Sequence, residues 1–362
     1  MEPLLLLSTF ECYELAQCYA ILLDMKIALK IMPQRSTQYA DMTALLAVPE
    51  LLISPLGSLA QDIQPITLAG QEYVLVAIPD DSRDRYLALL PTILPRLGAL
   101  SEGYEYFEQL GDIPGPLLRP IEPQFTPFLP LEMAEARRYR GKTNETFTRV
   151  LLNTAVFSSR FELAEGERIR VLDPLCGGGT TLFLALAFGY DAFGIELNRQ
   201  DIDTTAVFVR QYLQGEHIRV KETDERGRRS GRRYQFEIGA KGNAQHLVLA
   251  NGDAADATLH MREVVGGPRM HVIVGDLPYG IQHFGEIASL LSKALPVWEG
   301  MLVSGGSIAL AWNATRITRE DMVAALQKYT QLQVLNEDVY TRFAHPVDRV
   351  IKRRDLIVAV KA

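Results

Sequence analysis

The chain has 362 residues, 48% of them hydrophobic and 22% charged, a globular composition long enough for two domains with cores. No apolar run approaches the roughly 20 residues that a bilayer-spanning helix needs, and Met1–Phe10 lacks the basic region and longer apolar run of a signal peptide. Neither a membrane partner nor a leader is therefore expected. Cys12, Cys18 and Cys176 are too few and too irregularly spaced for a zinc site or a disulfide framework, so no metal is expected and the expected location is cytoplasmic.

The net charge of −7 is unevenly placed: residues 1–110 carry 6 Lys/Arg against 14 Asp/Glu, and residues 111–362 carry 31 against 30. The second part also gathers its cations into three clusters. These are Arg137, Arg138, Arg140 and Lys142, then Arg226, Arg228, Arg229, Arg232 and Arg233, then Arg349, Lys352, Arg353 and Arg354.

In chain order, Leu4–Leu7 and Tyr73–Ile78 read as strands, and Glu11–Leu29 and Arg83–Leu94 as helices, which makes residues 1–110 a small acidic α/β domain. Residues 111–130 hold six prolines in twenty positions; such a stretch resists helix and central strand, and reads as an extended linker. Thr143–Phe161 then places Phe147, Val150, Leu151, Thr154, Phe157 and Phe161 at helical spacing. From Arg170 onward, β-rich runs lead to Asp173, Glu196, Asp253 and Asp276, and helical stretches separate most of them. That alternation implies a parallel sheet with helices on both faces, over residues 131–362. Ligands of such sheets sit off the carboxyl ends of the strands, so the four acids converge on one crevice.

The strongest local signal is Val171-Leu-Asp-Pro-Leu-Cys-Gly-Gly-Gly-Thr-Thr181. A strand ends at Asp173, Pro174 leads into a tight turn of Gly177, Gly178 and Gly179, and Thr180 opens a helix. Glycines here let the backbone approach a ligand closely. The turn has no lysine, which excludes a P-loop, and Leu182 stands where a dinucleotide fingerprint has its third glycine. It suits a ligand without phosphate. Cys176 is expected only to pack within the turn. Glu196, 23 residues after Asp173, is placed to accept from both hydroxyls of a ribose. Asp253, followed by Ala254, is placed to meet an adenine amino group. The bland alternative is that Glu196 and Asp253 are helix caps.

Together, Asp-Pro-Leu-Cys-Gly-Gly-Gly-Thr-Thr, Gly-Ile-Glu, Asn-Gly-Asp and Asp-Leu-Pro-Tyr-Gly resemble the RNA methylase family of class I methyltransferases, whose best-known members methylate the guanine amino group of tRNA. The resemblance covers about residues 130–362. It implies S-adenosylmethionine as cofactor and a Rossmann-like sheet of seven strands with the last, Asp355–Val360, antiparallel.

In that light the run His271–Asp276 leads into the catalytic motif Leu277-Pro278-Tyr279-Gly280. An exocyclic base amine is a poor nucleophile because its lone pair is delocalised into the ring. Acceptors at its N–H groups, here the Asp276 carboxylate and the Leu277 carbonyl, favour a tetrahedral nitrogen that bears its lone pair. Tyr279 would stack on the extruded base, a contact worth about 1–3 kcal/mol, while Pro278 stiffens the turn. Leu277 replaces the proline of the commonest amino-methyltransferase motif but keeps the carbonyl, and the Asp-Leu-Pro-Tyr form leans toward RNA guanine enzymes over DNA adenine ones.

Residues 216–240 insert a β-hairpin whose arginine-rich tip offers Arg228, Arg229, Arg232 and Arg233 to substrate phosphates, with a solvated loop as the alternative. Lys352 and Arg353 resemble a basic stretch of the RNA enzymes, and His283 reads as an ordinary loop histidine. The acidic N-terminal domain matches no RNA-gripping module; it is expected to shape the pocket, to mediate dimerisation or to hold a protein partner. The rival readings are the same chemistry on DNA adenine or cytosine, methylation of a protein glutamine, and a non-catalytic binding protein that keeps the fold.

Overall fold

A computed structural model describes residues 25–34, 37–139, 141–161, 168–227, 231–278, 284–347 and 352–362. The expected Leu4–Leu7 strand lies outside them.

The N-terminal part is a five-stranded antiparallel sheet in the order β2-β3-β1-β4-β5. Its elements are β1 (Met25–Ile31), α1 (Thr37–Ile53), β2 (Asp62–Leu68), β3 (Gln71–Ile78), α2 (Arg83–Ile93), β4 (Leu100–Leu110) and β5 (Ile113–Ile121). Two expectations are corrected here. Residues 25–29, read as the end of a helix, form β1: Ile27 and Leu29 alternate with Lys26, Ala28 and Lys30, and the apolar pair faces Leu46, Leu51 and Leu90 in the core. Residues 113–121 of the expected linker form β5. Its three prolines lack N–H donors, which a sheet edge tolerates and a central position does not; β5 is an edge, paired to β4 alone.

The second part contains α3 (Glu132–Ala136), α4 (Glu145–Phe157), β6 (Arg170–Asp173), α5 (Thr180–Ala187), β7 (Asp191–Glu196), α6 (Arg199–Gly215), β8 (Val220–Gly227), β9 (Gly231–Ile238), β10 (Gln245–Asn251), α7 (Ala257–His260), β11 (Met270–Asp276), α8 (Phe284–Met301), β12 (Leu302–Asn313), α9 (Arg319–Tyr329), β13 (Gln333–Leu335) and β14 (Arg354–Val360). Asn144 caps α4 by accepting from the Phe147 N–H at 3.1 Å. Its expected apolar stripe is buried from Phe147 to Phe157.

The sheet runs β13-β14-β12-β11-β6-β7-β10-β9-β8. Strands β12, β11, β6, β7 and β10 are parallel, and β14 lies antiparallel to β12. The expected seven-stranded arrangement with its reversed last strand is thus present, and the 216–240 insertion widens it by β8 and β9. From β6 the chain winds outward to β7 and β10, then returns to place β11 on the other side. Side chains just past this reversal line a crevice, as the geometry of open α/β sheets requires. One core cluster joins both parts, from Ile27 and Leu46 through Phe147 and Leu151 to Val171 and Val274. Among the described residues, no helix is long and apolar enough to cross a membrane.

Candidate active site

Off the carboxyl ends of β6, β7, β10 and β11 lies a cavity of about 620 Å³, within the usual range for small-ligand sites. It is lined by the four expected acids, Asp173, Glu196, Asp253 and Asp276, and by Pro174, Cys176, Gly177, Thr180, Ala254, Leu277 and Pro278. Among the described residues that line it, none is basic.

Gly178 and Gly179 belong to the turn but not to the cavity wall. A Cβ on Gly178 would stand 2.4 Å from the Tyr139 ring, so this glycine makes room for a side chain of the protein itself. Gly179, with φ of +91°, turns the chain into α5.

Asp173 is 4% exposed and its Oδ1 accepts from the Leu175 N–H at 3.0 Å. Burial pushes its carboxyl up to about 7, and the negative charges of Asp276 and Glu196 push it the same way. The Cys176 thiol is likewise pushed up by burial, then by Asp173 and Glu196; it packs at the bottom of the turn and is no thiolate nucleophile. Glu196 accepts from the Gly177 N–H at 3.1 Å and from the Asn198 N–H at 2.8 Å, which fixes its carboxylate beside the turn. Each oxygen keeps a lone pair for a ligand hydroxyl. Asp253 caps a short turn through the Ala255 N–H at 2.9 Å, so the capping alternative describes part of its work.

Asp276 ends β11, and the Leu277 N–H donates to the Ala311 carbonyl at 2.8 Å, pinning the motif to β12. The Leu277 side chain is buried while Pro278 is exposed. Tyr279, Gly280 and His283 lie outside the described residues.

The sequence reading missed the residues that cover the cavity from the chain before α4. Tyr139, Thr143 and the α4 residues Thr148 and Leu151 all line it. The Tyr139 hydroxyl pairs with Thr180 Oγ1 at 2.9 Å, and burial pushes its phenol up to about 12. Arg137, read as part of a basic cluster, donates to the Gly178 carbonyl and to Thr205 Oγ1, both at 2.8 Å. A tyrosine and a threonine interleaved with cations just after a proline-rich stretch were the available signal. Leu197, 72% exposed, also lines the cavity.

The hairpin corrects a further expectation. The register of β9 on β10 puts the Gly227–Gly231 end of the hairpin on the cavity side of the sheet. Of its described arginines, Arg226 is exposed, while Arg232 and Arg233 are engaged by carboxylates. Arg233 is 3% exposed, pairs with Glu225 and Glu263, and donates to the His260 carbonyl at 3.0 Å. Arg232 pairs with Asp224 at 2.8 Å and Asp203 at 3.1 Å. Both are consumed by carboxylates of the same fold. Arg228 and Arg229 lie outside the described residues. Lys352 and Arg353, by contrast, are exposed, and they are held at the carboxyl end of β12 by backbone bonds of Arg353 with Ala314 and Thr315.

S-adenosylmethionine fits this lining. Its sulfonium and ammonium charges suit a wall of carboxylates, its ribose hydroxyls and adenine amine are donors for Glu196 and Asp253, and it carries no phosphate.

The strand order, with β14 reversed beside β12, is that of the Rossmann-like class I methyltransferases. No protein-family model matches the sequence, and no curated protein matches it. Among solved structures, TrmN from Thermus thermophilus aligns over 93% of this chain and 100% of its own, at 13% identity and a TM-score of 0.42. The rRNA methyltransferase aviRa from Streptomyces viridochromogenes aligns over 62% of this chain and 88% of its own, at 13% identity and a TM-score of 0.36. TehB from Haemophilus influenzae aligns over 56% of this chain at 14% identity and a TM-score of 0.32, and the match spans 60% of TehB. Likeness at this level decides nothing by itself: the fold rests on the strand order and the chemistry on the site.

Proposed function

We propose that the chain is an S-adenosylmethionine-dependent methyltransferase that acts on an exocyclic amino group of a nucleobase, with guanine in tRNA as the leading substrate. One observation carries the reading: Asp276 of the Asp-Leu-Pro-Tyr motif opens onto the same acid-lined cavity as the glycine turn and Glu196. Asp173 and Gly177 would hold the methionine end of the cofactor, Glu196 its ribose, and Asp253 with Leu197 its adenine. The bound cofactor supplies an electrophilic methyl group. The Asp276 carboxylate and the Leu277 carbonyl accept hydrogen bonds from the amine, orient it for in-line attack and favour the tetrahedral nitrogen. No nucleophile of the protein is required, which agrees with a Cys176 kept as thiol. Tyr279 is the proposed stacking partner of the base, and its contact would help offset the few kcal/mol that extrusion costs. Lys352 and Arg353 are the described cations placed to meet the RNA backbone beside the motif. The acidic N-terminal domain is a proposed contact for a protein partner or a second copy, and a cytoplasmic location remains part of the proposal.

The test is transfer of labelled methyl groups to separate pools of tRNA, rRNA, DNA and protein, followed by nucleoside mass spectrometry, with Asp276→Ala in parallel. Methylguanosine in tRNA is the expected product. Asp276→Ala should abolish it and leave cofactor affinity within a few-fold. Label in DNA alone would keep the mechanism and replace the substrate; a variant that no longer binds cofactor would remove the role given to Asp276.

A further inference from the structure

We infer that Thr143 is a positioning residue for Asp276. This role rests on the amine-methylation reading and adds a residue to it. The backbone of Asp276 is fixed by its register opposite Ala311 and by the Leu277 N–H bond to the Ala311 carbonyl. That ladder holds the main chain and leaves the rotation of the carboxylate about its own bonds to other contacts. Thr143 Oγ1 donates to Asp276 Oδ2 at 2.6 Å, the length of a charge-assisted O–H···O⁻ bond. An Asp oxygen has two lone pairs, so the bond orients the carboxylate and leaves it able to accept from an amine.

The donor is itself held on both sides. Asn144, the next residue, is the cap of α4. Lys142, the residue before, donates to the Ala134 carbonyl at 2.7 Å and pairs with Glu145. A β-branched side chain has few χ1 options, so the hydroxyl is preorganised rather than recruited. The same stretch of chain reaches the glycine turn through Arg137 and Tyr139. Arg137, Tyr139 and Thr143, close together in sequence, therefore tie the cofactor turn to the acid that meets the substrate.

Thr143→Val removes the hydroxyl and keeps the shape, and Thr143→Ser restores the donor without the methyl group. Both are compared with the unaltered chain for kcat and KM in methyl transfer, cofactor affinity by calorimetry, and Tm. We expect Thr143→Val to lower kcat by roughly 10- to 100-fold, the usual effect of misaligning a reacting group. Cofactor affinity, KM and Tm should stay near those of the unaltered chain, and Thr143→Ser should recover most of kcat. Unchanged kcat in Thr143→Val overturns the role. So does a Thr143→Ser variant as slow as the valine one, since shape rather than the hydroxyl would then matter, and so does a loss confined to KM or cofactor affinity. If the unaltered chain binds cofactor yet labels no nucleic acid, the methylation reading itself fails and takes this role with it.

Discussion

Glu50 in the N-terminal part and Asp173 at the end of β6 are carboxylates buried to nearly the same degree, 0% and 4% exposed, and burial raises the pKa of both. Their surroundings differ. Glu50 accepts from the Gly98 and Ala99 N–H groups and from Asn153 Nδ2, each at 2.8 Å, and Arg149 lies close by. It closes the seam between the two sheets, since Asn153 belongs to α4. Asp173 accepts from the Leu175 N–H and from Thr181, no cation stands among the groups that shift it, and it faces a cavity that two further carboxylates, Asp276 and Glu196, make more acidic. A buried acid with its acceptors filled by neighbouring donors is structural; one that looks into open space among like charges awaits a cationic ligand.

The sharpest way to break that contrast is Glu50→Ala. It leaves two backbone donors without their acceptor and takes one of two acceptors from the Asn153 amide in a buried seam, and a loss of about 3–5 kcal/mol is expected, as for other broken buried charge networks. Thermal melting should show a drop of roughly 10 °C, with methyl transfer per folded molecule little changed. A stable variant with lost turnover would put Glu50 in the wrong class.

Asp173→Asn sharpens the other half. With a folded pKa of about 7 against an ordinary carboxyl value of 3.8, the folded chain keeps a proton that the unfolded chain has released between those values. Stability should therefore fall as pH rises through that window, and the asparagine variant should melt higher than the unaltered chain at pH 8 and lose the slope. Cofactor binding should run the opposite way. In the unaltered chain, affinity should weaken by up to about tenfold per unit as pH falls below 7. In the variant it should be weak and nearly flat. A pH-independent affinity in the unaltered chain would show that Asp173 does not meet a charge of the ligand.

The smallest effect separates the cluster at Lys352 and Arg353 from the hairpin cluster. Lys352→Ala with Arg353→Ala should lower the salt slope of RNA binding by about 1.4, two phosphates at roughly 0.7 each for a single strand. Arg232→Ala should leave that slope unchanged, because its guanidinium is already paired with Asp224 and Asp203. A reduced slope in Arg232→Ala would mean that the hairpin opens onto the substrate.

Much of the site was legible because it is written in short, contiguous stretches. The glycine turn, Glu196 and the 276–278 motif each sit at a strand end, and strand ends of a parallel sheet meet at one edge wherever the helices pack. Asp253 was legible for the same reason. The hairpin cluster was misleading because carboxylates on several elements neutralise it: Glu225 stands opposite Arg233 in the β8–β9 ladder and Asp224 pairs with Arg232, while Asp203 of α6 and Glu263 after α7 come from farther along the chain. The N-terminal sheet was only half legible. Tyr73–Ile78 alternates cleanly, but residues 25–29 are rich in Met, Leu, Ala and Lys, whose helical preference lost to pairing with β3 and β4 on both sides.

By itself the sequence determined the order of strands and helices in the second part and the acids at the strand ends, since these follow from local periodicity and turn chemistry; the reversed last strand was expected from the family resemblance. Only the tertiary structure decided that Tyr139 and Thr143 close the cavity, that Glu50 joins the two sheets and that Arg233 is buried. Each of these depends on a partner 30 to more than 130 residues away, and such a partner is chosen by packing rather than by anything its own neighbours in the chain can encode.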